Sequence, residues 1–229
     1  MQRADGMGIK ITKDGPYIVS GSVPMSVESI VVDSDGESQS WQVESRLPEK
    51  EQCGLCRCGK SDAKPLCDGS HVDALFDGTE TAGFEPYLDC AEVLLGPRVD
   101  VADCEVLCAD ARFCHREGAV WHRVGEDSPE AAETVLAECG LCPSGRYTAL
   151  DKVTGAPIEP ALLPSIAFVQ DPHKEVSGPI WVRGGITIES ADGHEYEVRN
   201  RVTLCRCGQS KNKPFCDGSH LACGFHDHL

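Results

Sequence analysis

Cys56-Arg-Cys58-Gly-Lys-Ser-Asp-Ala-Lys-Pro-Leu-Cys67-Asp-Gly-Ser-His71 recurs almost unchanged as Cys205-Arg-Cys207-Gly-Gln-Ser-Lys-Asn-Lys-Pro-Phe-Cys216-Asp-Gly-Ser-His220. Each copy sets three thiols and one imidazole at the same spacing. Thiolate and imidazole suit zinc or iron–sulfur clusters and are poor ligands for hard cations. The chain therefore carries a soft-metal ligand set twice: Cys56, Cys58, Cys67 and His71, then Cys205, Cys207, Cys216 and His220. Cys-x-Cys lets one short extended segment hold a metal from two sides, and the glycines at 59, 69, 208 and 218 spare a side chain where backbone must approach sulfur. Pro65 and Pro214 fix the chain direction before the third thiol. Asp68 or Ser70, and Asp217 or Ser219, are placed to cap a short helix starting at the motif, with its amides toward a negative centre.

Both stretches fill every fixed position of the CDGSH, or NEET, iron–sulfur pattern, and the chain resembles that family there. The resemblance implies a 2Fe-2S cluster with one iron on Cys56 and Cys58 and the other on Cys67 and His71. Cys205, Cys207, Cys216 and His220 would hold a second in the same way. The competing reading is a pair of zinc knuckles, since a Cys3His set also binds zinc, although the usual zinc spacings differ. A neutral imidazole in place of a thiolate should raise the reduction potential, as two-histidine Rieske centres do more strongly. A protonated imidazole cannot hold iron, so acid is expected to release both clusters.

The repeat extends beyond the ligands. Gly15-Pro-Tyr-Ile-Val-Ser-Gly21 answers Gly178-Pro-Ile-Trp-Val-Arg-Gly184, and Ile30-Val-Val-Asp-Ser-Asp-Gly36 answers Ile186-Thr-Ile-Glu-Ser-Ala-Asp-Gly193. Apolar, β-branched runs bounded by Gly, Pro and Asp read as strands, and the Asp-Gly pairs as hairpins, with 39–44 and 196–199 as returning strands. The resemblance implies a β-cap in which two such units pair about a twofold axis. With both in one chain, an intramolecular pseudo-dimer is expected rather than two independent beads, because a repeat of about 60 to 70 residues buries little core alone. The expected fold is α+β, mainly β, divided into residues 1–87, an insert at 88–155 and residues 156–229.

The insert carries Cys108-Ala-Asp-Ala-Arg-Phe-Cys114, then Ser128-Pro-Glu-Ala-Ala-Glu-Thr-Val-Leu-Ala-Glu138, then Cys142-Pro-Ser-Gly-Arg146. The Ser-Pro start followed by Ala, Leu and Glu predicts a helix ending at Cys139-Gly140. This pattern resembles a divergent single-cluster ferredoxin, in which Cys108, Cys114 and Cys142 would be ligands while Ala111 stands at the middle cysteine position. Three thiols suit a 3Fe-4S cluster, or a 4Fe-4S cluster with a further ligand from Cys104, Cys139, Asp110, His115 or solvent. Reduced thiols in a small α+β insert are the alternative. Cys53, Cys90, Cys104, Cys139 and Cys223 fall outside the motifs and are expected to be reduced thiols. Grouping of the cysteines as ligand sets favours metal use and a reducing compartment over a disulfide framework.

Neither an apolar run of signal-peptide length nor one near the ~20 residues of a membrane helix is present, so a cytoplasmic protein is expected. A net charge of −16 disfavours nucleic acid and anionic membranes as partners, and suits a redox partner with a basic docking face or an apo iron–sulfur acceptor. No Walker loop, Gly-x-Gly-x-x-Gly or Gly-x-Ser-x-Gly pattern indicates an enzyme. Trp41, Trp121 and Trp181 are expected in core or cap. Three functions fit: an electron-transfer protein, monomeric with internal pseudo-twofold symmetry; a cluster carrier or redox sensor; or a structural metal protein.

Overall fold

A computed structural model describes residues 3–229, apart from the Glu117 side chain. The first half supplies β1 (Gly8–Ile11), β2 (Tyr17–Ser20), β3 (Met25–Val32), β4 (Ser38–Arg46) and β5 (Gln52–Leu55). The insert, expected at 88–155, contains α1 (Tyr87–Cys90), β6 (Glu92–Leu94), β7 (Asp100–Asp103), α2 (Val120–Arg123), α3 (Pro129–Leu141) and β8 (Tyr147–Leu150), and β9 (Pro157–Ile158), which pairs with β8, belongs with it beyond that bound. The second half adds β10 (Ser165–Asp171), β11 (Val176–Arg183), β12 (Thr187–Glu189), β13 (Arg201–Leu204) and α4 (Ser219–Ala222).

Two sheets are built by exchange. β1, β2 and β5 pair antiparallel, as do β10, β11 and β13, and each trio takes a parallel strand from the other half. β12 adds to β1 with Ile188 opposite Ile9, and β3 adds to β10 with Met25 opposite Ile166. The registers superpose under a pseudo-twofold. One apolar core accordingly draws on both halves, with Ile9, Ile11 and Tyr17 packed alongside Ile166, Phe168 and Leu204. This is the intramolecular pseudo-dimer, not a pair of beads.

The two halves differ beyond the exchanged strands. β3 runs on into a hairpin with β4, turned where the Asp33 carboxylate accepts the amides of Asp35 and Glu37. The expected returning strand at 196–199 does not form; Glu195 makes only a single bridge to Glu189. Its side chains are drawn to neighbouring segments instead: Tyr196 stacks on Phe84 and Arg199 donates to the carbonyls of Ser144 and Gly145.

The insert is an antiparallel meander, β6-β7-β8-β9, with α3 crossing between β7 and β8. The Ser128 hydroxyl accepts the Ala131 amide at the N-cap, and Pro129 takes the first helical position. The helix passes Gly140 and stops at Leu141, because Pro143 forces Cys142 into an extended conformation. Trp41 of β4 clamps the insert to the sheet: its indole donates to the Leu141 carbonyl, and its ring lies 4.9 Å from Phe113 and 4.8 Å from Trp181.

The ligand-bearing loops of the two halves meet at Gly59 and Gly208. A Cβ on Gly59 would stand 2.7 Å from the Cys207 carbonyl oxygen, and one on Gly208 would stand 2.6 Å from that of Cys58. Both glycines also have left-handed φ, +76° and +81°. Gly59→Ala should therefore cost about 3 kcal/mol in a urea unfolding experiment, combining left-handed strain with a backbone clash. Gly155→Ala is the control: φ is +67° with nothing within 4 Å, so only the strain of about 1 kcal/mol should appear.

Candidate metal centres

Each CDGSH loop hangs from a strand end: β5 leads into Cys56 and β13 into Cys205. The Ser61 hydroxyl donates to the Leu66 carbonyl and accepts the Ala63 amide, as Ser210 does with Phe215 and Asn212. Asp68 accepts the amides of Asp62 and Ser70, and Asp217 those of Lys211 and Ser219. The Ser70 hydroxyl, with these amides, holds the Asp68 carboxyl well below the usual range. These aspartates brace the loop and do not cap a helix as expected. α4 starts after Gly218 without a side-chain cap, and the first loop makes only turns at the corresponding place.

The donors come in pairs. Cys56 Sγ lies 3.7 Å from Cys58 Sγ, and Cys67 Sγ lies 3.4 Å from His71 Nδ1. The second loop repeats this, with Cys205 and Cys207 sulfurs 3.7 Å apart and Cys216 Sγ 3.5 Å from His220 Nδ1. Among the described residues no three His, Cys, Asp or Glu side chains converge on one ion position. Two donors per metal is what a binuclear sulfide-bridged centre asks of protein, and the thiol and imidazole donors suit it.

The two thiols of each Cys-x-Cys pair share a proton: the hydrogen bond from Cys58 lowers the Cys56 thiol, and that from Cys207 lowers Cys205. Their partners are raised, because each holds the shared proton. Burial pushes Cys216 up, and pushes His220 down to about 4, leaving its imidazole neutral and able to ligate.

Cys108, Cys114 and Cys142 line one small cavity, with Asp110, Ala111 and Arg146. Burial pushes Cys114 up to about 12, and the nearby sulfurs of Cys142 and Cys108 add to it, a repulsion that bound cations would relieve. Of the side chains considered for a fourth donor, Asp110 lines this cavity. His115 is exposed and packs edge-on to Trp121, and Cys139 lies in the insert's apolar core. Cys104 is removed from the candidates and Cys90 from the free thiols: they form a disulfide, the end of α1 meeting the segment after β7 with Cα atoms 5.7 Å apart.

The sequence reading overlooked the arginines inside the Cys-x-Cys pairs. Arg57 is buried, donates to the carbonyls of Gly15 and Thr12, and lies over the rings of Tyr17 and Phe76. Arg206 donates likewise to Gly178 and Val169 and forms a buried ion pair with Asp227. Identical placement in both motifs was the available signal for the arginines; nothing in the tail's composition marked Asp227.

Comparison with family models assigns the class. Residues 14–72 and 177–221 match the iron-binding zinc finger of CDGSH type, and 94–152 match a divergent 4Fe-4S mono-cluster family. The chain is an iron–sulfur cluster-binding protein in which two CDGSH units flank a mono-cluster unit. No curated protein and no solved structure gives a match.

Burial alone would raise Asp227, but Arg206, Ser177 and Gln170 outweigh it and hold the carboxyl low. Asp227→Ala leaves Arg206 charged and buried, which should cost about 3 kcal/mol. The wild-type contribution is complete above the unfolded carboxylate pKa of ~3.9 and fades as pH falls through the lower folded value. Denaturant titrations from pH 7 to pH 2 should show the two proteins converging at the acid end.

Proposed function

We propose that this chain is an electron-transfer protein carrying two 2Fe-2S clusters, on Cys56, Cys58, Cys67 and His71 and on Cys205, Cys207, Cys216 and His220. Cys108, Cys114 and Cys142 hold a third cluster, of 4Fe-4S type with Asp110 as the remaining donor or of 3Fe-4S type without it. When bound, the clusters supply sites that take up and return single electrons.

The observation that carries this reading is contiguity. The Cys108 carbonyl lies 3.6 Å from the Cβ position of Gly218, inside the second CDGSH motif. That motif in turn meets the first through Gly208 and Cys58. A protein made only to hand over clusters has no use for a third ligand set wedged against the second. The chain's own amides are aimed at the donors: those of Lys60 and Gln209 reach the sulfurs of Cys58 and Cys207 at 3.4 and 3.5 Å, where they would stabilise negative charge on sulfur.

The partner of this reading is a redox protein, met in the cytoplasm without nucleic acid or membrane, and the chain itself catalyses no reaction on a small-molecule substrate. Among the described residues no helix is long and apolar enough to cross a membrane. An anaerobic spectroelectrochemical titration of the holoprotein should give three reversible one-electron steps. Irreversible bleaching on reduction would favour a cluster carrier, and a colourless zinc protein would favour a structural role. Where the insert holds a four-iron cluster, Asp110→Ala should convert its EPR signature to that of a three-iron centre, with both histidine-ligated 2Fe-2S centres retained. An unaltered four-iron signal would remove Asp110 as a donor.

A further inference from the structure

The two histidine-bearing loops are alike in sequence but not in surroundings. Cys216 and His220 are 2% and 4% exposed, whereas Cys67 and His71 are only half-buried. The cover over the second loop comes from two sides. On one, the insert sets Asp110 Cβ 3.5 Å from the Cβ position of Gly218, and Asn212 Nδ2 donates to the Val106 carbonyl at 2.9 Å. On the other, the amides of Thr81 and Ala82 both donate to the Lys213 carbonyl, at 2.8 and 2.9 Å. The insert's loop is pinned to β10 by Arg112 and Asp171, 2.8 Å apart and largely buried. Among the described residues nothing comparable stands around the first loop. Gly69, the counterpart of Gly218, has no atom within 4 Å of its Cβ position, and the turn after His71 carries Val72 and Leu75 at 67% and 88% exposure.

We propose that the insert is a fixed cover over the second CDGSH ligand set, so that Cys67 and His71 form the port through which partner proteins and small molecules reach the 2Fe-2S centres. The proposal rests on both motifs being cluster ligands. Access to Cys216 and His220 requires a local opening that breaks the Arg112–Asp171 pair and the Asn212–Val106 hydrogen bond; access to Cys67 and His71 requires none. An electron entering at the insert would therefore leave at the far end of the chain's series of sites. The cover also makes two nearly identical ligand sets chemically distinct.

The test is loss of 2Fe-2S signal from the full holoprotein in excess iron chelator, read as EPR spin count in aliquots reduced at intervals. Two equal phases are expected, about tenfold or more apart. His71→Cys should slow the fast phase, because thiolate holds iron more tightly than imidazole, and His220→Cys should leave it unchanged. Arg112→Ala should speed the slow phase, and Asn212→Ala serves the same purpose if that variant does not fold. A single phase covering both signals, a fast phase slowed only by His220→Cys, or a slow phase indifferent to every foldable loop variant would overturn the proposal. Absence of any histidine-ligated signal at time zero would instead overturn the reading of the motifs on which it rests.

Discussion

The back-to-back approach of Gly59 to Cys207 and of Gly208 to Cys58 is the constraint on which the arrangement depends. Two backbones meet where no side chain fits, so the ligand loops of the two halves are held in one geometry. The exchanged strands supply the force behind it. β12 completes the first half's sheet and β3 the second's, so neither half has a closed core without the other. Separating the loops would expose the shared apolar core, and burial of that core is the dominant favourable term in folding.

On this frame the insert breaks the symmetry that the repeats establish. It is fastened to the second half by Arg199 on Ser144 and Gly145, Arg201 on Cys139 and Tyr147, and Arg112 on Asp171. A donor set facing water and one facing protein differ in dielectric, in hydrogen bonding and in access, the quantities that would set how a bound cluster behaves. The buried arginines repeat the asymmetry: Arg206 is neutralised by Asp227, while Arg57 Nη1 has no hydrogen-bond partner among the described residues.

What could be read in the sequence was what local spacing encodes. The ligand pairs, the helix behind Ser128-Pro129 and the strands flanking Tyr17 and Ile180 are each dictated within a dozen residues. The exchange of β3 and β12 was not legible, since it joins Met25 to Ile166 and Ile9 to Ile188, contacts that no local pattern records. The Cys90–Cys104 disulfide was not legible for a related reason: it joins the end of α1 to the segment after β7, and a separation of 14 residues does not by itself mark a pair. The segment at 196–199 shows tertiary override. Its sequence permits a strand, but Tyr196 and Arg199 find partners in Phe84 and the insert.

Three donor sets in one contiguous series should couple magnetically once loaded with clusters. Spin–spin interaction in the EPR of the fully reduced, reconstituted chain tests it most directly. Signals broadened or split by magnetic neighbours are expected, with the second CDGSH centre, lying between the other two, the most strongly affected. Narrow, superimposed spectra of isolated centres, unchanged by oxidising any one of them, would contradict it.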